Sequence, residues 1–396
     1  MMAESNFTNS TSDLDPEAPV QFPLYLTYFA AISAVILSIV GVTGNLLTVL
    51  ALTVDKKLRA KATTSFIISL SVSDLLFCGF NLPLTAVRYF YQQWVLGDQL
   101  CRVFPFLFYG NVAASLMSMV AITINRYVII GCFKHYTRIY TPRNVFIMIA
   151  VLWLFSFGMI FPPLIDQWGT LGLDEATFSC TIKKLDGKSP KKFLFLVAFL
   201  LPSVVIITCY SAIFYKIKTT RKKVENHSFR TPMSQSKLRV QQRHKKHRKE
   251  DIKLTKMMLT IFVLFLVCFL PLMLVNVLDD DMKQPSFHVI ASVLAWMSAA
   301  TNPFVYAIQN QQYQKAFKSL FIRKQRQRDL QRGAGSQGDN KSDVICPCLS
   351  GAVTPQVTPS SSKASVNTLC IELKAINKIN VVEQMQLTHP TDLCDN

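Results

Sequence analysis

The sequence predicts an all-α membrane fold, a bundle of seven transmembrane helices. Three observations predict it. Seven long stretches lack Lys, Arg, Asp and Glu, apart from one aspartate, Asp74. Half of the residues are hydrophobic, and the mean hydropathy is positive. The basic residues gather on alternate connections between the stretches.

The charge-free runs are 18–54, 62–87, 103–125, 144–165, 193–215, 257–278 and 284–314. A helix needs about 20 apolar residues to cross roughly 30 Å of hydrocarbon, and every run reaches that length. A segment in lipid must satisfy its own backbone hydrogen bonds, so each run is expected to be helical. The expected spans are 26–53, 63–88, 101–131, 145–165, 193–217, 254–278 and 287–310, within one domain over 25–310. Residues 1–17 are polar and acidic, so the first span is expected to act as an uncleaved signal.

The net charge of +18 raises the question of nucleic acid, but its placement points elsewhere. One side of the bundle holds Lys56, Lys57, Arg59 and Lys61, then Arg126, Lys134, Arg138 and Arg143, then fifteen Lys and Arg between 216 and 256. The other side holds Glu4, Asp13, Asp15 and Glu17, and eight Lys and Arg in all. The excess predicts a plasma-membrane protein with an extracellular N-terminus (1–24) and a cytosolic C-terminus. Anionic inner-leaflet lipids are the expected partners of the basic face, and nucleic acid is not. Asn6 and Asn9 open glycosylation sequons in that outer segment. Cys101, at the outer start of the third span, and Cys180, in the second outer loop, face an oxidising compartment, so a disulfide between them is expected.

The exceptions inside the spans carry the chemistry. An acid at mid-membrane is costly and faces the bundle interior, so Asp74 reads as a cation or proton site, against a protonated carboxyl with a structural role. Asn45, Asn111, Ser115, Ser298 and Asn302 lie at compatible depth. The third span ends in Asn125-Arg126-Tyr127, and Glu250-Asp251 precedes the sixth at the same rim. Asp251 can pair with Arg126 when the two helices are close and release it when they part, a two-state latch. Pro83, Pro162, Pro163, Pro202, Pro271 and Pro303 interrupt five spans, which suggests a bundle that hinges.

With these residues in view, 25–325 resembles the rhodopsin-like (class A) G-protein-coupled receptors. One marker stands on each helix: Gly44-Asn45, Asp74, Cys101 with Arg126, Trp153, Pro202 with Tyr210, Cys268-Phe269-Leu270-Pro271, and Asn302-Pro303-Phe304-Val305-Tyr306. The resemblance implies a short amphipathic helix along the inner leaflet over 311–323. It implies that Arg126, once released, engages a heterotrimeric G protein while Tyr210 and Tyr306 rearrange, and that Asp74, Ser115, Ser298 and Asn302 bind an allosteric sodium ion. No other cofactor and no enzymatic activity are implied. Two departures stand out. Asn125 replaces the usual acid, which leaves more of the restraint on Arg126 to Asp251, and Phe269 replaces the usual tryptophan of the helix-six switch. Asn-Arg-Tyr together with Cys-Phe-Leu-Pro is similar to the invertebrate "trapped in endoderm" and "moody" orphan receptors, which implies a role in guided cell migration or in epithelial and glial barriers.

The same spacing puts Phe108 where amine receptors carry an aspartate, which disfavours an amine ligand. Tyr109, Val112, Leu272, Met273, Asn276, Ser292 and Trp296 complete an apolar pocket for an extracellular ligand, with Arg88 at its mouth. An anionic lipid suits the basic rim, and a peptide suits the charged loops. Residues 324–396 read as a disordered tail whose serines and threonines, once phosphorylated, suit arrestin. A transporter or scaffold with seven helices is the rival reading, which an internal hydropathy repeat would favour.

Overall fold

The computed structural model describes residues 22–228, 235–278 and 284–320. Its helices are α1 (Leu24–Val54), α2 (Ala62–Tyr91), α3 (Asp98–Gly131), α4 (Pro142–Gly158), α5 (191–228), α6 (Gln235–Leu278), α7 (Pro285–Gln309) and α8 (311–320). Six of them are long and apolar enough to cross a membrane alone. The seventh, α4, has 17 residues and meets a short helix, Phe133–Ile139, at 79°. The sequons at Asn6 and Asn9, the residues 321–323 and the tail lie outside the described residues.

The fourth span corrects the expectation of 145–165. Its helix stops at Gly158, and Pro162 and Pro163 fall in a separate turn, Phe161–Leu164. Two consecutive residues without N–H donors cannot continue a hydrogen-bonded ladder. Pro83 and Pro202 are met differently. Each follows a π turn, Phe77–Asn81 or Leu196–Leu200, closed by a bond from Leu82 to the Phe77 carbonyl or from Leu201 to the Leu196 carbonyl. The wider turn carries the chain past the proline without breaking the helix. Pro105 also lies inside α3, in addition to the prolines the sequence singled out.

Polarity runs inside out. Phe146, Leu154 and Ile308 are 73–74% exposed, whereas Asn45, Asn81, Asn111, Asn125 and Asn302 are buried. In water such apolar exposure would drive association; in hydrocarbon it is the solvated face. The buried apolar residues form a large cluster that includes Leu70, Ile122, Tyr210, Phe265 and Tyr306, and a smaller one around Phe77, Tyr89 and Trp296.

Beyond Phe161–Leu164, the connection after α4 is mainly extended, with one 3-10 turn at Glu175–Thr177. It forms an antiparallel hairpin of β1 (Thr170–Asp174) and β2 (Ser179–Lys183), with Leu173 opposite Cys180. Gly169 turns the chain into it at φ 76°, where a Cβ would meet the Lys183 carbonyl oxygen at 2.9 Å. The Cys101–Cys180 disulfide pins β2 to the first turn of α3. Arg102 adds an ion pair to Asp166 at 2.8 Å.

Candidate functional site

Two polar constellations lie inside the bundle. The first is built on Asp74, which is 3% exposed. Its Oδ1 accepts from the Ser115 hydroxyl at 2.8 Å, and its Oδ2 accepts from the Asn302 amide at 2.7 Å. Ser115 also shares a 2.8 Å hydrogen bond with Ser73. Beside the carboxylate is a cavity of about 20 Å³, lined in part by Asn111, Val112, Ser115, Phe269, Ser298 and Asn302. That is room for one water-sized occupant. Ser298 lines this cavity but donates to the Ala295 carbonyl at 2.7 Å, not to Asp74. Asn111 adds a buried carbonyl oxygen with no protein partner. A carboxylate with hydroxyl and amide oxygens is a donor set that suits a small hard cation.

Proline chemistry explains the seventh-helix marker. Pro303 has no N–H for the Ala299 carbonyl one turn back, and Asn45 donates its amide there at 3.0 Å. Gly44 lets α1 come close enough, since a Cβ there would meet Pro303 Cγ at 2.9 Å. The Trp153 indole likewise donates to Ser69 at 2.9 Å, tying α4 to α2.

The second constellation holds Arg126, whose side chain is 3% exposed. Its Nη2 donates to Asn125 Oδ1 at 3.1 Å, and its Nη1 reaches Asp251 Oδ1 at 3.5 Å. Asn125 Oδ1 also accepts from Thr63 at 2.6 Å. The expectation that Asn125 shifts the restraint to Asp251 is therefore amended. The amide oxygen still holds the guanidinium, and it does so more closely than the half-exposed Asp251 carboxylate. A second chain of contacts spans the same rim, from Lys61 to Gln312 at 3.0 Å and from Gln312 to Glu250 at 3.3 Å. Tyr210 and Tyr306 are buried in the large cluster. Tyr127 lies apart from this pair and lines a cavity of about 70 Å³ with Ile213 and Lys216. Phe269 stacks on Phe265 at 5.0 Å between centroids, one turn of α6 below, and Pro271 follows it in that helix.

The residues expected to line the ligand pocket do not form one surface. Val112 belongs to the Asp74 cavity. Tyr109 hydrogen-bonds Thr181 of β2 at 3.1 Å. Phe108 packs on Phe77 and Phe104. Leu272 and Met273 join the large cluster, and Ser292 is half-buried on α7. The Asn276 side chain lies outside the described residues. Trp296 and Arg88 do come together, through Tyr89. The Tyr89 ring meets Trp296 and Phe178 at 5.9 Å each, and the Arg88 guanidinium lies over it at 4.4 Å. Phe178 was not expected here. It sits in the hairpin turn two residues before Cys180, and a loop aromatic beside a disulfide was the available signal.

Residues 44–306 match the family described as 7 transmembrane receptor (rhodopsin family). The chain is 47% identical over 332 residues to Protein trapped in endoderm-1 of Drosophila melanogaster, covering 81% of this chain and 85% of that one. It is 35% identical over 359 residues to the G-protein coupled receptor moody of the same fly, covering 78% of this chain but about half (53%) of moody. The crystal structure of squid rhodopsin superposes with a TM-score of 0.68 at 26% identity, covering 76% of this chain and 87% of that one. The chain belongs to the rhodopsin family of seven-transmembrane, G-protein-coupled receptors.

Proposed function

We propose that this receptor sits in the plasma membrane with its N-terminus outside, binds an extracellular ligand at the disulfide end, and activates a heterotrimeric G protein at the Arg126 end. The observation that carries this reading is the hold on Arg126. A buried guanidinium shared between a neighbouring amide and a half-exposed carboxylate on α6 is bistable, because outward movement of α6 removes Asp251 and leaves Arg126 for a partner. Arg126→Ala should abolish ligand-independent and ligand-driven G-protein dissociation while leaving surface expression intact. Activation undiminished in that variant would end the proposal.

A sodium ion at Asp74 completes this reading. Asp74, Ser115, Ser298 and Asn302, joined by Asn111, would hold it, and its charge would offset the buried carboxylate. An ion that prefers the small cavity of the closed bundle shifts the population toward the inactive state. The run of Lys and Arg between 216 and 256 suits anionic lipid, and the tail, once phosphorylated, suits arrestin. The likeness to Protein trapped in endoderm-1 supports a role in guided cell migration, and that to moody a role in barrier formation.

A further inference from the structure

We infer that the ligand carries an anionic head, a carboxylate or phosphate monoester, that docks between Arg88 and Thr85 on α2. This rests on the receptor reading above and names the chemistry of its ligand. Thr85, Arg88 and Tyr89 stand at i, i+3 and i+4, so they share one helix face. Thr85 is 1% exposed, and its hydroxyl has no hydrogen-bond partner. Thr48, Thr53, Thr123 and Thr255 bond back to the carbonyl four residues earlier, whereas Thr85, like Thr64 and Ser71 on the same helix, does not. A buried hydroxyl left without a partner is costly and marks a place for another group.

Among the described residues no carboxylate pairs with the cation on the next turn of that face. Arg88 Nε is buried without a partner, and neither Arg102–Asp166 nor Arg126–Asp251 involves it. Stacking on Tyr89 orients the guanidinium but does not neutralise it. An oxyanion would accept from both Arg88 and Thr85, a charge-assisted pair of hydrogen bonds. An ammonium would meet repulsion there, and no acid stands at Phe108 to offset it. Tyr89, which carries the cation, packs on Trp296 and on Phe178, and Phe178 packs on Phe22, an aromatic cluster that suits an apolar ligand body.

The test uses the full chain in lipid nanodiscs and four probes that share one tail: oleate, oleyl phosphate, oleyl alcohol and oleylamine. Empty nanodiscs supply the background. The expected result is that oleate or oleyl phosphate binds at least about tenfold more tightly than the alcohol and the amine. The difference between the two anions tells carboxylate from phosphate. Arg88→Gln should erase that preference with thermal melting unchanged, and Thr85→Val should reduce it about threefold while melting no lower than the parent, since it removes an unpaired buried hydroxyl. Arg88→Lys, which keeps the charge but loses the fork, should retain part of it and serves if the Gln variant misfolds. Equal binding of all four probes, or an anion preference that survives Arg88→Gln, would overturn the inference. G-protein nucleotide exchange separates the two readings. Anion preference without any exchange sinks the receptor reading alone, and exchange without anion preference sinks this one alone.

Discussion

The Arg126 guanidinium rests on a neutral amide oxygen where a carboxylate would hold it more firmly. Charge-assisted hydrogen bonds are roughly twice as strong as neutral ones. Asn125→Asp should therefore deepen the closed state by about 1–2 kcal/mol and lower basal nucleotide exchange about tenfold, with the Thr63 hydrogen bond kept. Unchanged basal exchange in that variant would show that the amide already holds Arg126 as firmly as an acid. Asp74→Asn should remove any dependence of agonist affinity on sodium, measured as displacement curves with sodium against a large organic cation. A third residue works outside the bundle. The Asp166 carboxylate accepts from Thr170, which does most to lower its pKa, and from Arg102, which lowers it further. Its pKa lies below the ordinary 3.8, so the clamp on the hairpin is intact at neutral pH and is lost only as pH falls below 3.8 through that lower value. Melting between pH 5 and pH 3 should lose part of its acid dependence in Asp166→Asn. Asp74 and Arg126 were legible as functional in the sequence because each breaks a charge-free pattern. Asn111 was legible only as a polar group at the depth of Asp74, and Thr85 not at all, because an orphaned hydrogen-bonding atom exists only relative to neighbours from other helices.

At the scale of elements, close packing of helices rests on small residues meeting large ones. A Cβ on Gly110 of α3 would lie 2.4 Å from the Phe157 ring of α4, which stacks on Trp153. Gly110→Ala should destabilise the bundle by about 1–3 kcal/mol through overpacking, read as a lower Tm. Phe157→Ala in the same chain should recover most of the loss, and a double variant no better than the single would refute that packing account. The helices themselves were visible as charge-free runs, since hydropathy is a property of consecutive residues. Their irregularities were not. The positions of Pro83 and Pro202 announced a disturbance, yet only the packed bundle selects a π turn there and a full stop at Gly158, ahead of Pro162 and Pro163. The ladder can be widened where both flanks remain helical, but not where two donors are missing in succession. The hairpin was hidden for another reason. Thr170–Asp174 and Ser179–Lys183 do alternate polar and apolar residues, but each strand has only five residues, too few for the period to stand out from chance.

The whole molecule is an apolar shell around a thin polar interior, closed at one end by a disulfide-tied hairpin and at the other by the Arg126 contacts. The disulfide closes a separation of 79 residues. Cys101→Ser and Cys180→Ser should each lower stability by about 2–4 kcal/mol, and the double variant by no more than either alone. Surface-expressed, melt-competent receptor is the measurement, and additive losses would mean that the cysteines act separately. The sequence by itself determined that the chain crosses a membrane seven times and that Asp74 and Arg126 are its exceptional groups, because length, hydropathy and charge are local quantities. Only the tertiary structure decided what those groups touch. Asn302 reaches Asp74 across 228 residues and Asn45 reaches the Ala299 carbonyl across 254, pairings set by which helices pack together. A neutral residue beside Arg126 reads as a missing restraint in one dimension. In three it is a hydrogen-bond acceptor, because Thr63 and Arg126 are both brought to the same amide oxygen.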